Sequence, residues 1–181
     1  FECKLISYAN QYNVKPDRFS GDINTVDYED EHPFILRDPN KCILCGVCVR
    51  VCDEVMGVGA LGLVKRGFDT VVKPALEQPL AETGCISCGQ CTSYCPTGAL
   101  QERMAIKKSV PLDTTCTQTT CSHCSVGCSL ELENYGDLLI KAVPDKEGAV
   151  NKGILCGKGK FGFDCAYLDG KLLDPMAKDL D

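Results

Sequence analysis

The chain has 181 residues, 44% of them hydrophobic, with a formal charge of −6 and an isoelectric point near 5.0. That acidity argues against nucleic acid as a partner, since phosphate binding asks for a basic stripe, and no apolar run approaches the roughly 20 residues of a membrane span. The 15 cysteines exceed what a cytosolic protein keeps as free thiols and point to metal or disulfides. A chain of this length buries about 70% of its unfolded surface, enough for one or two small domains. It opens at Phe1 with no signal-like apolar segment.

Residues 1–14 space Leu5, Ile6, Ala9, Tyr12 and Val14 as a short amphipathic helix that ends before Pro16. Cys3 stands alone at its start, and taken by itself it reads as a buried free thiol. Residues 17–33 are polar and read as a surface loop leading to a strand at 34–37; His32, before Pro33, reads as a solvated loop residue.

Two cysteine runs with one spacing come next: Cys42, Cys45, Cys48, Cys52 and Cys85, Cys88, Cys91, Cys95. Gly46 and Gly89 hold the same place in each, so this is an internal repeat carried by the cysteines. Three thiolates at C-x2-C-x2-C can surround one [4Fe–4S] cubane if the loop is tight, which suits a glycine after the second cysteine. The fourth cysteine is expected to start a helix pointing away from its own loop, and so to serve the neighbouring cluster. The expected ligand sets are Cys42, Cys45, Cys48 and Cys95 for one cluster, and Cys85, Cys88, Cys91 and Cys52 for the other. Pro96 completes a C-P ending in the second run, where the first has Asp53, a substitution expected to loosen the chain locally without affecting ligation. Structural zinc is the alternative, but zinc modules split their ligands into two pairs, and this run crowds too many thiolates into one loop for a tetrahedral ion. Disulfides fit less well, because such closely spaced cysteines would mispair.

Between the runs, residues 61–64 and 70–73 flank a glycine-containing turn and read as a hairpin closed by Pro74; residues 99–102 read as a returning strand. Residues 34–104 together form a ferredoxin-like unit whose small core leaves metal to supply much of the folding free energy. Residues 105–113 read as a linker, with Lys107 and Lys108 as a solvated pair. A third site begins with Cys121, Cys124 and Cys128 and closes at distant Cys156, after a hairpin whose tip is Asn134-Tyr135-Gly136-Asp137. Here zinc is a stronger rival, because two ligand arms joined by a hairpin also describe a zinc ribbon. A third iron–sulfur cluster gains from its two neighbours, since a relay uses another carrier, and three such clusters would bring the chain to about −12.

The residues Thr119-Thr120-Cys121-Ser122-His123-Cys124-Ser125-Val126-Gly127-Cys128, with the segment from Val150 to Gly162 around Cys156, resemble the N-terminal iron–sulfur domain of molybdopterin oxidoreductases. Together with Arg37-Asp38-Pro39-Asn40-Lys41-Cys42, they are similar to the alpha subunit of NAD-linked formate dehydrogenases and the large iron–sulfur subunit of respiratory complex I. The resemblance implies that Cys3 is the last ligand of a further [4Fe–4S] cluster whose other ligands precede Phe1. It also implies that Lys158, two residues after Cys156, assists electron transfer beside the third cluster. His123 is expected to face solvent, and Cys116 and Cys165 match no ligand position. Residues 170–176 resemble the entry to a pterin-binding domain, which is expected to be missing from this chain.

The expected fold is α+β: a ferredoxin-like two-cluster domain at 34–104 and a small β-rich cluster domain at 114–181, preceded by a helix and loop at 1–33. The expected role is an electron-transfer module in the cytoplasm, working with an NAD(P)H-oxidising flavoprotein and other iron–sulfur subunits, with formate as a possible far substrate. A relay subunit of a bifurcating or hydrogenase complex using ferredoxin is one alternative, and a zinc-held interaction scaffold is another. No acid–base or nucleophilic centre is expected, since His123 stands among ligand thiols.

Overall fold

The repeat seen in the cysteines is also a repeat of backbone conformation. In the computed structural model, which describes residues 3–15, 19–28, 32–74, 76, 78–103, 113–170 and 174, Leu44 and Ser87 are both left-handed, at φ 56° and 54°. Each lies two residues after the first cysteine of its run, and Gly46 and Gly89 come next at φ 72° and 69°. Glycine adopts that conformation freely; a residue with a Cβ holds it at a cost of about 1–2 kcal/mol. The left-handed steps curl the loop so that the N–H of Leu44 donates to Cys42 Sγ at 3.4 Å, and that of Ser87 to Cys85 in the second run.

In chain order come α1 (Lys4–Gln11), β1 (Ile35–Arg37), α2 (Val47–Arg50), β2 (Leu61–Val64), β3 (Val71–Pro74), α3 (Gln90–Tyr94), β4 (Leu100–Glu102), β5 (Thr115–Thr120), β6 (Ser129–Tyr135), β7 (Leu138–Pro144) and α4 (Gly157–Phe161). The expected linker lies almost wholly outside the described residues, as do Lys107 and Lys108. Both α2 and α3 begin directly after their loop glycine, which places Cys48 and Cys91, the third cysteines, in the first turn. The fourth cysteines therefore do not start helices, contrary to expectation. Cys52 lies inside a π-helical continuation, Val51–Val55, and Cys95 is the extended C-cap of α3. The difference arises from the next residue. Pro96 disfavours the helical region at Cys95, whereas Asp53 sets no such limit and the first helix runs on.

Antiparallel pairing of β1 with β4 sets Ile35 opposite Glu102, and the β2–β3 hairpin sets Leu61 opposite Pro74. Around these packs a core of Ile35, Ala60, Leu61, Val72, Leu80 and Leu100, with Cys48 and Cys91 buried among them. A second, smaller core of Leu130, Ala142 and Leu155 lies against the β5-β6-β7 sheet. The strand β5 was not foreseen. All six of its residues are exposed, so it shows no apolar alternation by which a half-buried strand is recognised. No helix among the described residues is long and apolar enough to cross a membrane.

His32 corrects the reading of it as a solvated loop residue: it is 2% exposed. Its Nδ1 accepts from the N–H groups of Phe34 at 3.1 Å and Ile35 at 3.0 Å. Its carbonyl accepts from Arg103 Nε at 2.9 Å. Burying the start of β1 would leave two N–H groups without acceptors, and the imidazole supplies one to both.

The two halves of the structure meet along α3 and α4. Phe34 stacks on Phe161 with ring centroids 5.0 Å apart, Gln90 Nε2 donates to the Leu155 carbonyl at 2.8 Å, and a Cβ at Gly89 would stand 2.7 Å from the Phe161 ring. At Gly46 the same atom would meet nothing within 4 Å. Gly46→Ala should therefore cost only the left-handed penalty, about 1–2 kcal/mol, and Gly89→Ala about 1–3 kcal/mol beyond that. Equilibrium denaturation monitored by circular dichroism checks this, and equal losses at the two positions would show that Phe161 does not pack there.

Candidate metal centres

Eight cysteines of the two runs line two cavities, and each run contributes to both. One cavity is bounded by Cys42, Cys45, Cys48 and Cys95, with Val72 and Leu100 on its apolar wall. The other is bounded by Cys52, Cys85, Cys88 and Cys91, with Leu61 and Leu80. The crossing is set by helix direction: the third cysteine opens each helix beside its own loop, and the chain then carries the fourth to the far end, beside the other loop. Four thiols on a largely apolar wall, with Arg37 and Thr97 beside the first set and Gln90 beside the second, match the all-cysteine donor set of a [4Fe–4S] group.

Backbone donors are aimed at these sulfurs. Cys52 Sγ accepts from the N–H of Ala60 at 3.3 Å. Burial would raise the Cys95 thiol, but the N–H groups of Thr97, Leu100 and Ala99 and the Thr97 hydroxyl together hold it below the ordinary value. Cys48 has no comparable set: burial first, and then the neighbouring thiols Cys42, Cys45 and Cys95, push it up to about 11. Cys91 is raised as well, by burial first and then by Cys88 and Cys85.

The third group is more open. Cys121 comes directly after β5, with its N–H donating to the Cys128 carbonyl at 2.8 Å. Asn151 clamps Ser129, next to Cys128, by accepting from its N–H at 2.8 Å and donating to its carbonyl at 3.0 Å. Cys156 caps α4. The four are close enough that Cys121, Cys124 and Cys156 all raise the Cys128 thiol, after burial. A Cβ at Gly159 would stand 3.5 Å from Cys121 Sγ, and one at Gly157 2.7 Å from the Ser87 carbonyl oxygen. These two glycines let α4 lie against both the third group and the loop of the second, and Cys156 raises the Cys88 thiol across that gap.

Lys158 is exposed on α4. Cys3 is buried at 9% exposure, and its Sγ accepts from the Ile6 N–H at 3.5 Å as the cap of α1. Cys116 is exposed on β5, and Cys165 is partly buried in the turn after α4. The His123 ring is exposed and lies over Gly162. Sequence reasoning missed Lys160. Its Nζ pairs with Glu102 Oε1 at 2.7 Å, with the side chains 2% and 10% exposed, and donates to Ser93 Oγ at 3.0 Å, between Cys91 and Cys95. The available signal was Gly157-x-Gly159, which lets a helix approach closely enough to bury the next side chain along.

Residues 32–101 match the family described as the ferredoxin-like domain of NADH-quinone oxidoreductase subunit 3. Residues 114–168 match the molybdopterin oxidoreductase Fe4S4 domain. The two matches follow one another along the chain. Over 179 residues it is 35% identical to an NADH-quinone oxidoreductase subunit of Rhizobium meliloti, covering 98% of this chain and 21% of the relative. It is 34% identical over 177 residues to the NADPH-Fe(3+) oxidoreductase subunit alpha of Geobacter sulfurreducens, covering 98% of this chain and 20% of that one. The chain thus spans about a fifth of the length of these relatives. A crystal structure of an NAD+-reducing [NiFe]-hydrogenase superposes with a TM-score of 0.53 at 28% identity, over 61% of this chain and 47% of that one.

Metal binding displaces thiol protons, and burial holds Cys48 of the ferredoxin-like domain up to about 11. A stripped chain supplied anaerobically with ferrous ion and sulfide should therefore load faster at about pH 8.5 than at about pH 6.5. Visible absorption against time measures this, and a rate that falls as pH rises would contradict it.

Proposed function

We propose that the chain is an electron-transfer module holding three [4Fe–4S] clusters: one on Cys42, Cys45, Cys48 and Cys95, one on Cys85, Cys88, Cys91 and Cys52, and one on Cys121, Cys124, Cys128 and Cys156. The observation that carries the proposal is the pair of apolar cavities, each lined by three cysteines of one run and the fourth of the other. Such a group, when bound, accepts and returns one electron without making or breaking bonds to a substrate. The chain's own residues do the rest: they exclude water with Val72, Leu80 and Leu100, aim N–H groups at sulfur, and hold the second and third groups side by side across Gly157 and Ser87.

The module relays electrons between an NAD(P)H-oxidising flavoprotein and a second redox site, which in the formate dehydrogenase reading is a pterin centre. NADH- and NADPH-linked relatives support the first partner. The likeness to a chain of an NAD+-reducing [NiFe]-hydrogenase favours a second reading, in which the far site belongs to a hydrogenase. Lys158, exposed on α4 two residues after Cys156, assists electron transfer from the third group to a further carrier, and Cys3 serves as the last ligand of an additional cluster.

Anaerobically purified protein should contain about 12 iron per chain if all three sites are filled, and its visible absorption should bleach with dithionite. A colourless chain containing zinc in place of iron would leave only an interaction scaffold. Cys52→Ser should remove the reduced-state EPR signal of the cluster on Cys85, Cys88 and Cys91 and spare the one on Cys42, Cys45 and Cys48. Loss of the latter alone would overturn the crossed assignment.

A further inference from the structure

We infer that His32 donates a hydrogen bond through Nε2–H to Cys85 Sγ, and so acts as a positioning residue that raises the reduction potential of the cluster on Cys85, Cys88, Cys91 and Cys52. The inference rests on the ligand sets proposed above. Its starting point is the tautomer. Nδ1 accepts from two backbone N–H groups, those of Phe34 and Ile35, so it carries no proton, and the proton of the neutral ring is on Nε2.

The Nε2–H faces Cys85 Sγ at 3.8 Å and Ser87 Oγ at 3.4 Å. At 2% exposure little water competes for that proton. The ring is fixed from its other side by an edge contact with Phe34, centroids 6.3 Å apart, and Phe34 is held by its stack on Phe161. The same thiol already receives the Ser87 N–H, so two donors converge on one ligand. Reduction adds negative charge that spreads onto the ligand sulfurs, and a donor on sulfur stabilises the reduced state more than the oxidised one, which raises the potential. The first run has the backbone donor, Leu44 N–H on Cys42, and no histidine, since the chain's two are His32 and His123. The ring therefore gives the second site a side-chain donor of a kind that the first lacks.

The test uses the whole chain loaded anaerobically. His32→Asn keeps a short side-chain oxygen to accept from the Phe34 and Ile35 N–H groups but places no donor at Cys85. In EPR-monitored redox titration, the cluster that disappears in Cys52→Ser should titrate at lower potential in His32→Asn, with the others unmoved. Protein labelled with 15N-histidine, carrying His123→Gln so that one histidine remains, should show a 15N hyperfine coupling on that same cluster. Ser87→Ala should leave the coupling in place. An unchanged potential with no 15N coupling overturns the inference. Loss of the coupling in Ser87→Ala would place the hydrogen bond on the hydroxyl and also overturn it. If His32→Asn fails to assemble the cluster, the 15N coupling in the His123→Gln protein decides. A chain without iron would instead sink the cluster reading itself, an outcome distinct from iron present with an unmoved potential.

Discussion

The structure of the first domain depends on burying sulfur where a globular protein of its size would bury methyl groups. The core around Ile35, Leu61, Val72, Leu80 and Leu100 is completed by Cys42, Cys48, Cys52, Cys85, Cys91 and Cys95. A thiol packs passably as a small apolar side chain. A buried thiolate does not unless donors and positive charge meet it, because desolvation penalises the charged form. The loops answer with N–H groups, fixed in direction by left-handed residues at Leu44, Gly46, Ser87 and Gly89. Whatever occupies the cavities is thus part of the core, and the loops take their shape from the sulfurs they must surround.

The legible part of the sequence was the part governed by short range. Spacings of three residues between cysteines, glycine at one offset, and apolar stretches on either side of a glycine-containing turn all act within a few residues, and the β2–β3 and β6–β7 hairpins lie where those turns put them. The cavities set Cys52 beside the second loop and Cys95 beside the first, although the premise for that pairing, a helix starting at the fourth cysteine, does not hold. The error about where those helices begin was also local: the left-handed glycine, not the fourth cysteine, is the N-cap.

What could not be read were residues whose role is set by a partner distant in sequence. Nothing near His32 announces that two N–H groups at the start of β1 will be buried and in need of an acceptor. The threonine-rich β5 forms because β6 lies beside it in register, Thr120 opposite Ser129, while its exposed faces hide it from any test of periodicity. Lys160 looks like the neighbouring Lys158, and only the approach of α4 to α3 distinguishes a lysine in solvent from one sealed against Glu102. Such a pair adds little net stability compared with apolar packing, yet removing one partner leaves a buried charge and is costly.

That sealed pair governs how the molecule can move. With Lys160 paired to Glu102 and Ser93, Gln90 bonded to the Leu155 carbonyl, and Phe161 filling the space above Gly89, separating the two halves would expose an ion pair and a ring stack together. A larger assembly that swings its carriers to make or break contact would have to place the pivot elsewhere. The second and third cysteine groups, on either side of the Gly157–Ser87 contact, would then be carried together.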